Sequence, residues 1–224
     1  MEFRDFESTD ALIDAAAKVL REALQAAGAA PVAVMLSGGR TPRPLYESIA
    51  AHPFTVAPAA HIVLSDERMV PEESPESNFG QIRPMLDRLE LPEDRVLRVD
   101  TSLPLQQAAD QYDSDLQAFF ARGGRIGLAF LGLGADGHTA SLFTRQDLES
   151  ARGRLTVAVR PASPPDRVSV TPAVLGRCDR VIFLASGPEK QAIVSTLRRA
   201  PDAVVAGQAV RDAKRAELWF AEEP

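Results

Sequence analysis

Short, continuous apolar runs alternate along this chain with longer amphipathic stretches, and that order predicts its architecture. From Asp10 to about Ala27, the residues Leu12, Ala16, Val19, Ala23 and Ala27 recur at helical spacing; Thr9 is placed to cap the start and Gly28 to stop the end. Val32–Leu36 (VAVML) is apolar throughout, the pattern of a strand covered on both faces, and runs into the turn SGGRTP. The unit recurs. Residues 61–64 lead into SDER, 126–133 into GADGH and 181–185 into SGPEK, and 156–160 form a further plausible strand. Helical stretches near 42–51, 77–89, 104–121 and 188–199 lie between these runs. The β-α-β-α order predicts an α/β fold, a mostly parallel open sheet with helices on both faces, Rossmann-like, with right-handed crossovers. Ligands of such sheets bind beyond the carboxyl ends of the strands, where these loops lie. No repeat or linker interrupts the pattern, so residues 1–224 are read as a single domain, with irregular proline-rich loops at 71–75 and 161–165.

Composition removes several classes of function. The net charge of -6 offers no broad basic surface, so neither nucleic acid nor anionic lipid is expected as a partner, and an anionic ligand must be gathered locally. The single cysteine, Cys178, rules out an intrachain disulfide and argues against a cysteine-based zinc site, so a cytoplasmic setting is expected. The opening MEFRDFESTD alternates charged and apolar residues and lacks a signal-peptide core, and no run approaches the roughly 20 apolar residues of a membrane span.

Chemistry concentrates in the loops. SGGRTP (37–42) places Gly38, Gly39 and Thr41 between a strand and a helix, where bare backbone amides can hold a phosphate; a simple tight turn is an equal reading. SDER offers Asp66 to sugar hydroxyls and Arg68 to an anion, or a structural ion pair. The segment 70–78 reads as a mobile flap ending at Asn78, a polar contact or, more simply, a helix cap. In LGLGADGHTASLF (131–143), Gly132, Gly134 and Gly137 formally satisfy the dinucleotide pattern G-x-G-x-x-G, although the motif lies far from the first strand. His138 is the candidate general base, with Asp136 two residues earlier to orient it or to bind substrate; His52 and His61 read as structural or surface residues. Arg167 in RVSVTP and Lys190 in GPEK each add a cation near a strand end, and their convergence on the SGGRTP amides would make a monophosphate site.

Taken in order, SGGRTP, SDERMVPEESPESN, LGLGADGHTASLF, RVSVTP and SGPEK resemble the motifs of the 6-phosphogluconolactonases over about residues 30–190. The resemblance implies the fold shared with glucosamine-6-phosphate deaminases and ribose-5-phosphate isomerases. It also implies hydrolysis of 6-phosphoglucono-δ-lactone in the pentose phosphate pathway without a required cofactor; separately, no metal is expected, and the protein is expected to be a monomer or homodimer. By the same resemblance, Gly38, Gly39 and Thr41 lie near the phosphate with Arg167 and Lys190, while Asp66, Arg68 and Asn78 line the substrate pocket and His138 is the base. Residues 139–143 (TASLF) look like the lactonase branch rather than the deaminase branch. Two positions depart from the family: Thr144 stands where proline commonly follows the phenylalanine, and Arg40 where serine is frequent. The alternatives are a sugar-phosphate isomerase or deaminase in which Asp66 moves a proton on carbon, and a non-catalytic sugar-phosphate sensor.

Overall fold

The four apolar runs become four adjacent strands of one parallel sheet. The computed structural model describes residues 1–26, 28 and 30–223. In chain order its elements are β1 (Glu2–Phe6), α1 (Thr9–Gln25), β2 (Val32–Leu36), α2 (Arg43–Ala51), β3 (Ala60–Leu64), β4 (Asp66–Arg68), α3 (Asn78–Arg88), β5 (Val96–Leu97) and α4 (Leu105–Ala121). They continue with β6 (Arg125–Gly132), α5 (Arg145–Ser150), β7 (Thr156–Val159), β8 (Arg167–Val170), α6 (Pro172–Leu175), β9 (Val181–Ser186), α7 (Gln191–Arg199), α8 (Val205–Ala209) and β10 (Ala216–Ala221). Seven strands pair in the order β1-β10-β9-β6-β2-β3-β5, every pairing parallel.

The central strands β2, β3, β6 and β9 are largely apolar because each feeds two cores. On β2, Ala33 and Met35 face one and Val34 and Leu36 the other; on β9, Val181 and Phe183 oppose Ile182 and Leu184. The first core is covered by α4, α6, α7 and α8, the second by α1, α2 and α3. β6 keeps this alternation only because the register slips at Gly127, where Ala33 pairs with Ile126 and Val34 with Leu128. Among the described residues no helix is long and apolar enough to cross a membrane.

Several boundaries differ from expectation. Ser8, not Thr9, caps α1, its hydroxyl accepting the Ala11 N–H at 3.2 Å. The helix ends at Gln25, and its expected last residue, Ala27, lies outside the described residues. The alternating opening residues form β1, a half-exposed strand at the sheet edge, and residues 188–190 form a 3₁₀ turn before α7. The pattern also gave no sign of a second sheet. β4, β8 and β7 form a three-stranded antiparallel layer, with Asp66 opposite Ser169 and Arg68 opposite Arg167.

This small sheet is fastened to α4 by a buried carboxylate. Asp113 Oδ1 accepts the N–H groups of Leu155 at 2.7 Å and Thr156 at 3.0 Å, and the Thr156 hydroxyl donates to the Ala109 carbonyl at 2.6 Å. Asp113→Ala strands two buried amides and is expected to cost about 2–4 kcal/mol of unfolding free energy. Urea denaturation checks this, and an unchanged midpoint would mean that the amides find other partners.

Candidate active site

A cavity of about 790 Å³ opens at the carboxyl ends of β2, β6 and β9, with β4 and β8 forming one wall. The loop after β2 brings Gly38, Gly39 and Thr41 to it, the loop after β6 brings His138, and the turn after β9 brings Lys190. The small sheet adds Asp66, Arg68 and Arg167, and the start of α3 adds Asn78. Asp136 does not line the cavity but contacts His138, which does.

His138 and Asp136 form a pair. Asp136 Oδ1 lies 2.6 Å from His138 Nδ1 and also accepts the His138 backbone N–H at 3.2 Å. Partial burial raises the Asp136 pKa, but the His138 amide and imidazole outweigh it and hold the carboxyl below the usual range. A carboxylate only accepts, so Nδ1 carries a proton, and in the neutral imidazole the lone pair is on Nε2. Glycine is required beside this pair: a Cβ at Gly134 would lie 2.2 Å from His138 Nδ1 and 2.3 Å from Asp136 Oδ1. Gly137, at φ +89°, closes the turn by donating to the Gly134 carbonyl at 3.0 Å. The dinucleotide reading fails here, because the glycines do not open a helix; the next one, α5, starts at Arg145. His61 and His52, expected to be structural or surface residues, do not line the cavity; the half-buried His61 has Nδ1 2.9 Å from the Ala59 carbonyl, and the exposed His52 has Nδ1 3.2 Å from the Ser48 carbonyl.

Two adjacent acids knit the wall. Asp66 is buried, with Oδ1 accepting the Ser65 hydroxyl and Oδ2 the Ser141 hydroxyl, each at 2.7 Å. Ser141 therefore couples the histidine loop to the small sheet. Asn78 donates from Nδ2 to the Asp66 carbonyl at 2.9 Å; it is the first residue of α3 rather than its cap, which is Ser77, whose hydroxyl accepts the Gly80 N–H. Glu67, also buried, accepts the N–H groups of Arg68, Asn78 and Phe79, each at 2.7 Å. Burial pushes its pKa up while these three amides pull it back. The segment expected as a flap is tied down: Arg68 donates to the Glu76 carbonyl at 2.9 Å, and Glu72 pairs with Arg83 and Arg98.

The cations share the cavity. Lys190 donates from Nζ to the Leu133 carbonyl at 2.7 Å; burial, and with it Arg40, lowers its pKa, against Glu189 and Asp136. Arg167 is lowered by burial and then by Arg68, its cross-strand partner. Arg167 and Lys190, expected to converge, line the same cavity, with Arg68 neighbouring the first and Arg40 the second. Among the described residues, the buried side-chain polar atoms without a protein partner are Ser37 Oγ, Arg68 Nε and Arg167 Nε, and all three residues line this cavity. Such atoms each carry an unmet hydrogen-bonding cost of about 1–3 kcal/mol, which an oxygen-rich anion would relieve.

With this geometry in view, comparison with known proteins decides the lineage. The sequence profile of the family described as glucosamine-6-phosphate isomerases/6-phosphogluconolactonase matches residues 7–219. The chain belongs to this family. A 6-phosphogluconolactonase of Thermotoga maritima is 40% identical over 161 residues, 70% of each chain. That of Homo sapiens is 36% identical over 208 residues, 86% of this chain and 79% of the relative. The crystal structure of the Thermotoga maritima 6-phosphogluconolactonase superposes with a TM-score of 0.80 at 31% identity, covering 99% of both chains.

Within the 6-phosphogluconolactonase family, the two departures have local accounts. Thr144 caps α5 reciprocally, its hydroxyl accepting the Asp147 N–H at 3.2 Å while Asp147 Oδ2 accepts the Thr144 N–H at 2.7 Å. Arg40 is exposed and pairs with Glu189 at 3.7 Å, across the cavity mouth. Sequence reasoning passed over Glu67, Ser141 and Gln81, although the first two stood inside quoted motifs. Gly134→Ala is expected to turn the imbidazole away from Asp136 while lowering the melting temperature by less than about 5 °C. A crystal structure of the variant with the 2.6 Å contact intact would refute this.

Proposed function

We propose that the chain hydrolyses 6-phospho-D-glucono-1,5-lactone to 6-phospho-D-gluconate, with His138 as general base. The observation carrying this reading is the Asp136–His138 pair at the wall of a cavity whose buried unpartnered atoms include two guanidinium Nε groups. His138 Nε2 takes a proton from water as the water oxygen attacks the lactone carbonyl carbon. The carbonyl electrons move to oxygen, and the tetrahedral oxyanion that results is stabilised by nearby donors. As it collapses, the C–O bond to the ring oxygen breaks and the imidazolium returns its proton to that oxygen. Asp136, charged at neutral pH, holds the tautomer and stabilises the imidazolium.

The phosphate end is assigned to Gly38, Gly39, Thr41, Arg167 and Lys190, and the sugar to Asp66, Arg68 and Asn78. Thr41 Oγ1 is 3.1 Å from Ser186 Oγ, which sets its hydroxyl toward the turn that carries Lys190. Both Asp66 oxygens already accept serine hydroxyls, which favours a binding part for this carboxylate over proton transfer on carbon.

Stopped-flow hydrolysis of fresh lactone, with spontaneous hydrolysis subtracted, tests the reading. His138→Ala is expected to lower kcat by about 10²–10⁴-fold with little change in KM. A wild type no faster than background sinks the function; a fully active His138→Ala overturns the mechanism alone. Asp136→Asn is expected to lower kcat about tenfold or more, since the amide neither fixes the tautomer nor balances the imidazolium. By contrast, Arg167→Ala and Lys190→Ala should chiefly raise KM, and equal kcat losses with unchanged KM would contradict their assignment to binding.

A further inference from the structure

The first turn of α3 lies across the SGGRTP loop. A Cβ added at Gly38 would fall 2.0 Å from Asn78 Oδ1, so Asn78 occupies the space beside that glycine. One turn on, Gln81 reaches the next glycine, its Oε1 accepting the Gly39 N–H at 3.1 Å. Its Nε2 donates to the Pro75 carbonyl at 3.3 Å. A single carboxamide thereby joins the glycine loop to the 70–78 segment, and it lines the cavity beside Arg40 and Thr41.

We infer that Gln81 is a phosphate-responsive binding residue: the ligand phosphate takes the Gly39 N–H from Gln81, and the freed carboxamide turns its NH₂ onto the phosphate. This rests on the reading above that the phosphate sits at the SGGRTP loop. One N–H serves one strong acceptor, and a charged phosphate oxygen outcompetes a neutral amide oxygen for it. A carboxamide carries both an acceptor and two donors, so rotation about its terminal torsion exchanges the role it plays toward Gly39 for the one it plays toward phosphate. That rotation also alters the hold on Pro75, so occupancy of the loop is passed to the segment at the cavity's edge.

The test is calorimetric titration of wild type, Gln81→Glu and Gln81→Met with inorganic phosphate and with 6-phosphogluconate, gluconate serving as the ligand without phosphate. Glutamate still accepts from Gly39 but cannot donate and repels the anion, so both phosphate ligands are expected to bind about tenfold more weakly or worse. Methionine does neither; the lost donor is offset by an uncontested Gly39 N–H, and affinity is expected to stay within about threefold of wild type. The Gln81 side-chain NH₂ resonances should shift as phosphate is added. If Gln81 merely braces the loop, methionine, which cannot accept from Gly39, binds no more tightly than glutamate. That order, NH₂ resonances indifferent to saturating phosphate, or a wild type that binds no phosphate overturns the inference. Because binding is read without turnover, the predicted pattern in a protein that does not hydrolyse the lactone would keep this inference and remove the hydrolytic reading. Hydrolysis with equal phosphate affinities in all three proteins would do the reverse.

Discussion

A parallel sheet buried on both faces leaves polar groups one outlet, the ends of its strands. In this chain β9, β6, β2 and β3 are neighbours, and their flanks are filled by the two cores. Charged side chains are thereby kept out of the middle of these four strands and collect in the loops that follow them. The cavity, the histidine turn and the glycine loop share an address because the core admits no other.

Packing fixes the sheet, but the site's precision comes from polar ties between loops. Ser141 joins the histidine loop to Asp66, Asn78 joins α3 to the Asp66 backbone, and Glu67 gathers three amides from β4 and α3. Each tie crosses between segments that no regular ladder connects. Buried and mutually satisfied, such groups resist rearrangement, since breaking one leaves another unpaired in a poorly solvated setting. The loop that carries the Asp136–His138 pair is thus fastened to the small sheet through Ser141.

The parts legible in the sequence are those whose determinants are local. The strands buried on both faces declare themselves as continuous apolar runs, and the Asp136–His138 pair spans two residues across a glycine. The small antiparallel sheet has no such signature, because β4 is three residues long and its partner β8 lies about a hundred positions away. The Ser141–Asp66 bond spans 75 residues and was equally invisible. Both misplaced caps, Thr9 for Ser8 and Asn78 for Ser77, fall where neighbouring residues each offer a capping side chain, and backbone geometry rather than residue type chooses between them.

Arg68 and Arg167 face one another across β4 and β8. Like charges placed directly opposite weaken a strand pair, and burial adds to that cost. Selection for heat resistance alone would act against that repulsion, leaving only the Arg68 bond to the Glu76 carbonyl and the nearby acids Asp66, Glu67 and Glu76 to retain the pair. Under the function proposed above, the small sheet is therefore where this fold trades robustness for use, and stability-guided redesign should leave that pair alone.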